Sequence, residues 1–205
     1  MEKLNFDKLM IFILIILFLI LSVFMKAELL NRFDMVFYSE ITEHMSSFLT
    51  NVMKTITYLG NSITILTICI ILIIIPKLRI EYGTICSIGV IISTISNITL
   101  KIIFARPRPD ILRLINETNY SFPSGHAMIN ATFYFLIGIC IYKYVKDNKK
   151  YLLLGICLFM PIIIGISRVY LGVHYITDVI GGWMLGSAIA IGIYYIYNKL
   201  NQYKR

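Results

Sequence analysis

Long uncharged stretches alternate with short charged segments along this chain. The six uncharged windows are residues 9–25, 55–76, 82–100, 127–142, 151–167 and 179–198. The shortest window, before Lys143, can extend back to Tyr120. Each window is close to the ~17–25 residues that a membrane-spanning helix needs. Because only helices and closed barrels satisfy the backbone in lipid, the pattern predicts an all-α, polytopic membrane protein with six transmembrane helices in one bundle.

The long segment between the first two windows predicts an additional helix over residues 37–53. Its apolar residues recur at helical spacing, opposite the acids Glu40 and Glu43. The apolar positions are Phe37, Ile41, Met45, Phe48, Leu49 and Val52. A helix with one apolar face lies at the membrane interface rather than across the membrane. It could guide a lipid toward a site or simply cover the bundle, and both interpretations remain open.

The first window has the basic flank of a signal peptide, with Lys3 and Lys8 before it. It is longer than the ~7–15 apolar residues of such a peptide, and no small-x-small cleavage site lies between Ser22 and Ala27. We therefore predict a retained membrane anchor. No repeat, low-complexity tract or linker divides the chain, so residues 1–205 are predicted to form a single integral-membrane domain.

Composition agrees with the membrane class, because 58% of the residues are hydrophobic and only 15% are charged. Soluble domains carry roughly 25% charged residues. The cysteines all fall inside uncharged windows and are predicted to be small buried hydrophobic residues rather than disulfide partners or metal ligands. They are Cys69, Cys86, Cys140 and Cys157.

The net charge of +8 reflects orientation in the membrane rather than binding to nucleic acid. Eleven of the nineteen basic residues fall on the side of the predicted bundle that holds both termini. They are Lys3, Lys8, Lys77, Arg79, Lys143, Lys146, Lys149, Lys150, Lys199, Lys204 and Arg205. Basic loops remain in the cytoplasm. We therefore predict a plasma-membrane protein with cytoplasmic termini and no nucleic-acid partner, whereas the oligomeric state cannot be read from the sequence.

Three polar clusters lie near the outward ends of the predicted helices. They read Lys101-x6-Arg108-Pro109, then Pro123-Ser124-Gly125-His126, then Ser167-Arg168-x5-His174-x3-Asp178. A charged side chain at bilayer depth costs at least ~2.5–3.5 kcal/mol, so such groups in an apolar chain indicate function. We interpret the three clusters as one site for a phosphate ester.

The first cluster supplies cations. Lys101 ends the third predicted helix, and Arg108 follows in a loop that Pro107 and Pro109 stiffen. A guanidinium binds phosphate oxygens in a bidentate manner, and a lysine adds a point charge. Basic residues at a helix end are also common as interfacial anchors, so this cluster alone does not decide between the two roles.

The second cluster is predicted to open the fourth helix, with Pro123 in its first turn. A helix N-terminus offers free amides and a positive dipole end to an anion. Gly125 lets that backbone approach closely, the Ser124 hydroxyl can donate, and His126 is positioned as a proton donor. An ordinary N-cap for Ser124 and an interfacial position for His126 remain alternatives.

The third cluster has the spacing of a nucleophile with its partner. His174 and Asp178 lie four residues apart, on one face if the sixth helix extends back that far. A carboxylate on one imidazole nitrogen sets the tautomer and leaves the other nitrogen free to attack phosphorus. Arg168, at the end of the fifth helix, would complete the set of cations. A purely structural His–Asp pair remains the alternative.

In order and spacing, the three clusters resemble the signature of the type 2 phosphatidic acid phosphatase superfamily: K-x6-RP, PSGH and SR-x5-H-x3-D. The chain is similar to small six-helix bacterial members that act on phosphatidylglycerophosphate or undecaprenyl diphosphate, and the similarity includes Tyr58-Leu59-Gly60 before the second helix. The resemblance implies a metal-independent lipid phosphatase with a phosphohistidine intermediate. It makes His174 the nucleophile, Asp178 its orienting partner and His126 the acid that protonates the leaving group. The phosphate-binding residues that it implies are Lys101, Arg108, Ser124, Gly125 and Arg168.

The same resemblance selects Arg108 over Arg106 through the x6 spacing, so Arg106 is expected at the rim of the site. Three cations facing a dianion make a metal unnecessary, and the chain lacks an acidic cluster for Mg²⁺; no cofactor is predicted. The expected partners are a lipid phosphate substrate and membrane lipids. A broad-specificity phosphatidic acid phosphatase is one alternative. A non-catalytic lipid transporter or scaffold is another, although the repeats that are common in transporters are missing.

Overall fold

The computed structural model describes residues 2–202; Met1 and residues 203–205, which include the basic residues Lys204 and Arg205, lie outside the described residues. Over this range the chain is a bundle of helices. Their bounds are α1 Glu2–Lys26, α2 Asn31–Glu43, α3 Ser47–Leu59, α4 Ser62–Ile74, α5 Pro76–Phe104, α6 Gly125–Tyr144, α7 Lys149–Tyr170 and α8 Ile176–Gln202. The α5 helix contains a π-helical segment, Arg79–Thr84, near its start.

Five helices of the described range are long and apolar enough to cross a membrane, and the bent pair α3–α4 is a sixth candidate. This confirms the predicted all-helical membrane fold. The second predicted helix, over residues 55–76, is not continuous, because α3 and α4 meet at an angle of 43°. At the bend, the Gly60 carbonyl accepts a hydrogen bond from the Asn130 side chain at 2.8 Å. The Asn61 side chain then caps α4.

The extra helix predicted between the first two spans is present as α2, but its predicted bounds, residues 37–53, are wrong, because the chain breaks there between α2 and α3. The break follows from Ser46, whose hydroxyl accepts the Leu49 amide at 3.2 Å and caps α3. The apolar residues of this region pack over the segment that precedes His174. Residues Ile41, Met45, Leu49 and Met53 contact the buried Tyr170, Leu171 and Val173. The region therefore covers the bundle, and a role in guiding lipid stays a prediction.

The α6 helix is the most enclosed candidate span, with 61% of its membrane window buried. The α8 helix packs closely against it because glycines face the contact. A Cβ atom at Gly182 would come within 2.8 Å of the Ser124 carbonyl oxygen, so a side chain there would force the helices apart. At this short separation the Ser124 amide donates to the Asp178 carbonyl at 3.0 Å. The packing of α8 on α6 thus joins the second polar cluster to the third.

The half of the bundle away from the polar clusters holds an apolar core. Its buried members are Ile65, Cys69, Ile85, Cys86, Val90, Ile129, Phe133, Leu136, Cys140 and Ala190. The predicted burial of the cysteines is confirmed, since Cys69, Cys86, Cys140 and Cys157 are all at most 7% exposed. The buried ionisable side chains of the described residues lie instead at the end that holds the polar clusters. They are Asp34, Arg106, Arg108, Arg168, His174 and Asp178.

Candidate active site

The three polar clusters meet around one cavity of about 240 Å³. All the predicted site residues except Ser124 and Asp178 line this cavity. Its predicted lining residues are Lys101, Arg108, Gly125, His126, Arg168 and His174. Asp178 lies behind His174, and Ser124 lies behind the first turn of α6; both are completely buried.

His174 lies in the turn between α7 and α8, two residues before α8 begins, and it is 2% exposed. Its Nδ1 atom is 3.3 Å from Asp178 Oδ2, so the pair forms although the helix does not extend back to the histidine. Its Nε2 atom is 3.3 Å from Arg108 Nη1. Because a guanidinium can only donate, Nε2 carries the lone pair and the Nδ1 proton faces the carboxylate. The free lone pair of Nε2 therefore faces the cations of the cavity.

The protonation state of His174 favours that lone pair. Burial lowers the pKa of the imidazole well below its usual value, and the positive charges of Arg108, Arg168, Lys101 and Arg106 lower it further. A buried cationic ring beside so many cations would be costly. The imidazole is therefore neutral at neutral pH, which is the state a nucleophile requires.

Asp178 is held by donors on both of its oxygens. Oδ2 accepts the Tyr175 amide at 2.9 Å and the Ser121 hydroxyl. Oδ1 pairs with Arg106 Nη1 at 2.6 Å. The Ser121 oxygen is also 3.2 Å from His174 Nδ1. Ser121 was missed by sequence reasoning, although it lies only three residues before Ser124 of the second cluster.

The prediction that Arg106 lies at the rim of the site is wrong. Its side chain is 8% exposed and bridges two carboxylates, those of Asp178 at 2.6 Å and Asp34 at 2.8 Å. It also lies over the Tyr175 ring, with its central carbon 4.1 Å from the ring centroid. Burial alone would lower the pKa of the Arg106 guanidinium, but these two acids raise it above its usual value. Spacing along a loop does not show which side chains turn inward, and here Arg106 does.

Asp34 is a second residue that sequence reasoning missed. It lies on α2, is 1% exposed, and accepts the Thr177 amide at 3.1 Å and the Thr177 hydroxyl at 2.8 Å. The available signal was an acid within the apolar run Phe33-Asp34-Met35-Val36-Phe37. An isolated acid with apolar neighbours on both sides in a membrane protein indicates a buried partner.

The three predicted cations are anchored by backbone or hydroxyl oxygens. Lys101 Nζ donates to the Tyr120 carbonyl. Arg108 donates to the carbonyls of Asn119 at 2.5 Å and Val173 at 2.7 Å. Arg168 Nη1 donates to Thr57 Oγ1 at 2.8 Å, whereas its buried Nε has no partner among the described residues. These neutral partners hold the side chains in position without cancelling their charge.

One acid lies among these cations. Glu117, in the segment between α5 and α6, pairs with Arg168 and lies 3.7 Å from Arg108 Nη2. Its side chain is 29% exposed. A carboxylate therefore lies where an external anion would meet the two arginines, and sequence reasoning did not identify it.

The second cluster forms the start of α6 with one change from prediction. Pro123 precedes the N-cap instead of lying in the first turn, and Ser124 is the N-cap, whose hydroxyl accepts the Ala127 amide at 3.5 Å. The Asn97 side chain fixes this corner by donating to the Pro123 carbonyl at 3.0 Å. His126 thus lies in the first turn of α6 and faces the cavity.

A second cavity, of about 590 Å³, adjoins the first and shares Ile98, Lys101, Arg108, Glu117 and Asn119 with it. Its wall includes a strongly apolar part of α5, where Ile98 is 56% exposed and Ile102 is 67% exposed. The charged site therefore connects to a helix face that suits the hydrocarbon interior of a membrane.

Comparison with known proteins gives concordant matches. The model of the PAP2 superfamily matches residues 82–202. Phosphatidylglycerophosphatase B of Bacillus subtilis is 42% identical over 93 residues, which cover 44% of this chain and 45% of that protein. The chain thus spans less than half the length of that relative. Undecaprenyl-diphosphatase of Sulfolobus acidocaldarius is 29% identical over 189 residues, 87% of this chain and 86% of that protein.

A solved structure resembles the whole bundle. It is the crystal structure of a transmembrane PAP2-type phosphatidylglycerolphosphate phosphatase from Bacillus subtilis, with a TM-score of 0.85 and 30% sequence identity. The match covers 93% of this chain and 96% of that chain. The similarity therefore extends beyond the segment that contains the three clusters to the N-terminal helices.

Proposed function

The chain belongs to the PAP2 superfamily, and from that premise we propose that it hydrolyses a membrane lipid phosphate or diphosphate through a phosphohistidine intermediate. The observation that carries the proposal is the position of His174. One nitrogen faces Asp178 at 3.3 Å, and the other faces Arg108 at 3.3 Å on the cavity side.

In the first step, His174 Nε2 attacks phosphorus while the bond from phosphorus to the leaving oxygen breaks. His126 gives a proton to that oxygen, so the lipid leaves as an alcohol or as a protonated phosphate. Asp178 accepts the Nδ1 proton of His174 in a hydrogen bond and stabilises the ring as it gains positive charge.

In the second step, water attacks the phosphorus atom that is bound to His174 Nε2, and the bond between Nε2 and phosphorus breaks. His126, now without its proton, takes one from this water, which restores both histidines and releases inorganic phosphate. The two histidines line the same cavity, which is the arrangement that these alternating roles require.

Charge stabilisation comes from a set of donors that is in place before substrate arrives. Lys101, Arg108 and Arg168 supply the positive charge, and the α6 N-terminus supplies amides at Gly125 and His126. Ser124 lies behind these amides, and its hydroxyl oxygen caps the helix and holds its first turn in place. Preorganised donors of this kind usually contribute more to catalysis than any other effect, because they need no rearrangement as charge develops.

The substrate is proposed to reach the site from the membrane. The exposed isoleucines of α5 would contact its hydrocarbon chain, while the headgroup enters the 590 Å³ cavity beside Lys101 and Arg108. Phosphatidylglycerophosphate and undecaprenyl diphosphate are the first candidates, from the names of the relatives. The basic residues near the termini and in the opposite loops would keep that end cytoplasmic, so the active site would face outward.

The proposal is tested by measuring phosphate release from phosphatidylglycerophosphate, undecaprenyl diphosphate and phosphatidic acid in detergent micelles with EDTA present. We expect release to survive EDTA and to be lost in His174→Ala. The matched control is His44→Ala, which removes an exposed histidine. Wild-type activity in His174→Ala would contradict the nucleophile, and no release from any of the three lipids would contradict the proposed function.

A further inference from the structure

Asp34 has no part in the mechanism above, yet it is one of the most buried acids of the described chain, at 1% exposure. Its carboxylate accepts two hydrogen bonds from Thr177 and pairs with Arg106 at 2.8 Å. Arg106 in turn reaches Asp178 at 2.6 Å. Burial of an ion pair is costly unless its geometry is good and its remaining donors are satisfied. A second acid at this depth therefore calls for an explanation.

We propose that Asp34 and Arg106 are positioning residues for phosphoryl transfer, which orient the Asp178 carboxylate and maintain a net negative charge behind His174. This inference rests on the proposed function, because it assigns a role relative to His174 as the nucleophile.

The orientation follows from the hydrogen bonds of Asp178. Arg106 holds Oδ1 at 2.6 Å, which turns Oδ2 toward His174 Nδ1. The same guanidinium donates to the Thr177 hydroxyl at 2.8 Å and lies over the Tyr175 ring. Both of these residues lie immediately after the turn that carries the histidine. Arg106 therefore ties the loop after α5 to this turn, and Asp34 ties α2 to it.

The balance of charges explains the second acid. Asp178 and Arg106 alone would cancel, and the histidine would face a neutral pair. Asp34 adds a further negative charge, so the cluster of Asp34, Asp178 and Arg106 carries a net charge of about −1. When His174 Nε2 bonds to phosphorus, its ring becomes cationic, and this net charge stabilises it. Asp34 would thus act on the nucleophile through Arg106 and Asp178.

Several other charged or titratable groups face His174, and the variants proposed below leave all of them unchanged. They are Lys101 on α5, Arg108 and Glu117 in the loop that follows, His126 on α6, Arg168 on α7 and Asp178 on α8. Changes at Asp34 and Arg106 alter the cluster behind Nδ1 without replacing Asp178 or any group that lines the 240 Å³ cavity.

The test compares Asp34→Asn, Arg106→Gln and the double variant, with phosphatidylglycerophosphate in detergent micelles as the substrate. The matched control is Glu40→Gln, which neutralises an exposed acid on the same helix as Asp34. We expect Asp34→Asn and Arg106→Gln each to lower kcat by up to ~10²-fold with little change in KM, because a misplaced catalytic group costs about that much. Glu40→Gln should retain wild-type kinetics.

The pH profile of kcat/KM separates positioning from simple loss of packing. The acid limb of this profile is the decrease in rate at low pH, where His174 becomes protonated. Asp34→Asn removes a negative charge, so His174 loses its proton more easily and the acid limb moves to lower pH. Arg106→Gln removes a positive charge, so the acid limb moves to higher pH. Structural damage alone would not displace the two limbs in opposite directions. Substrate ionisation is the same in every variant and contributes equally.

The double variant gives a second independent readout. It leaves Asp178 as the only charge of the cluster, which restores a net charge of about −1. Its kcat should therefore exceed the product of the two single effects. If Arg106→Gln fails to accumulate in the membrane, Arg106→Lys replaces it, and we expect a lower kcat with an unmoved acid limb.

The inference would be overturned if both single variants had the kcat of Glu40→Gln, or if their acid limbs moved in the same direction. Activity of the wild type would leave the proposed function intact in either case. Absence of phosphate release from the wild type and from Glu40→Gln would instead overturn the proposed function, and this inference with it.

Discussion

The two nitrogens of His174 face regions of opposite character. The region behind Nδ1 is almost completely buried. There the guanidinium of Arg106 pairs with the carboxylates of both Asp34 and Asp178. On the Nε2 side, three cations line an open cavity, and the acid among the described lining residues is Glu117, which is 29% exposed. One region is closed and has a small excess of negative charge, because two carboxylates share one guanidinium, whereas the other is open and has excess positive charge.

This difference separates two tasks that a phosphoryl-transfer site must perform. A buried, mutually paired network is difficult to rearrange, because breaking one pair leaves an uncompensated charge. It suits the fixed orientation of a nucleophile. A surplus of cations beside a cavity attracts an anion and is neutralised only when the anion binds. The three predictions below test this division, from the largest expected effect to the smallest.

Arg168→Gln removes a cation from the open side, and we expect kcat to fall by ~10²–10³-fold, the usual loss for one preorganised donor. Phosphate release from the preferred lipid measures it. Arg32→Gln, at an exposed position of α2, is the matched control. A decrease of less than twofold relative to that control would show that Arg168 does not contact the transferred group.

Ser121→Ala removes a donor from the closed side. Its hydroxyl bonds to Asp178 and lies 3.2 Å from His174 Nδ1, so its loss leaves the carboxylate less well held. We expect a decrease of ~10-fold in kcat, as for one hydrogen bond to a charged group. The control is Ser39→Ala, an exposed serine on α2. Equal activity of the two variants would argue that Asp178 is oriented without Ser121.

Glu117→Gln tests whether the acid on the open side competes with substrate. Its pair with Arg168 must open before a phosphoryl group binds there, so the amide should lower KM by roughly 2- to 5-fold, a range set by the modest energy of a partly exposed ion pair. Steady-state kinetics measures KM, and Glu40→Gln on the exposed face of α2 is the control. An increase in KM would mean that Glu117 assists binding instead.

The predicted site residues follow from chemistry that is visible in short segments. Lys101, Arg108, His126, Arg168 and His174 were each conspicuous as polar groups in an apolar chain, and the structure brings them to one cavity. Their roles in catalysis remain proposals. A nearby residue without such a signal, Ser121, was missed because a serine near a helix start has many ordinary explanations.

Arg106 shows the limit of this reasoning. It lies two residues from Arg108, in the same loop and also before a proline, but the two side chains enter different regions. The direction of each depends on partners from distant parts of the chain: Arg106 is separated by 72 residues from Asp34 and from Asp178. Sequence spacing within the loop carries no information about those partners.

By itself, the sequence determined that this chain is a multi-pass helical membrane protein and which short segments carry its chemistry. The physical reason is the cost of polar groups in lipid, which makes both the spans and their exceptions visible. Only the tertiary structure decided where the second helix bends, which arginine lies behind the histidine, and that Asp34 and Glu117 belong to the site. Those features depend on contacts between distant helices, where close packing and the pairing of buried charges select one arrangement.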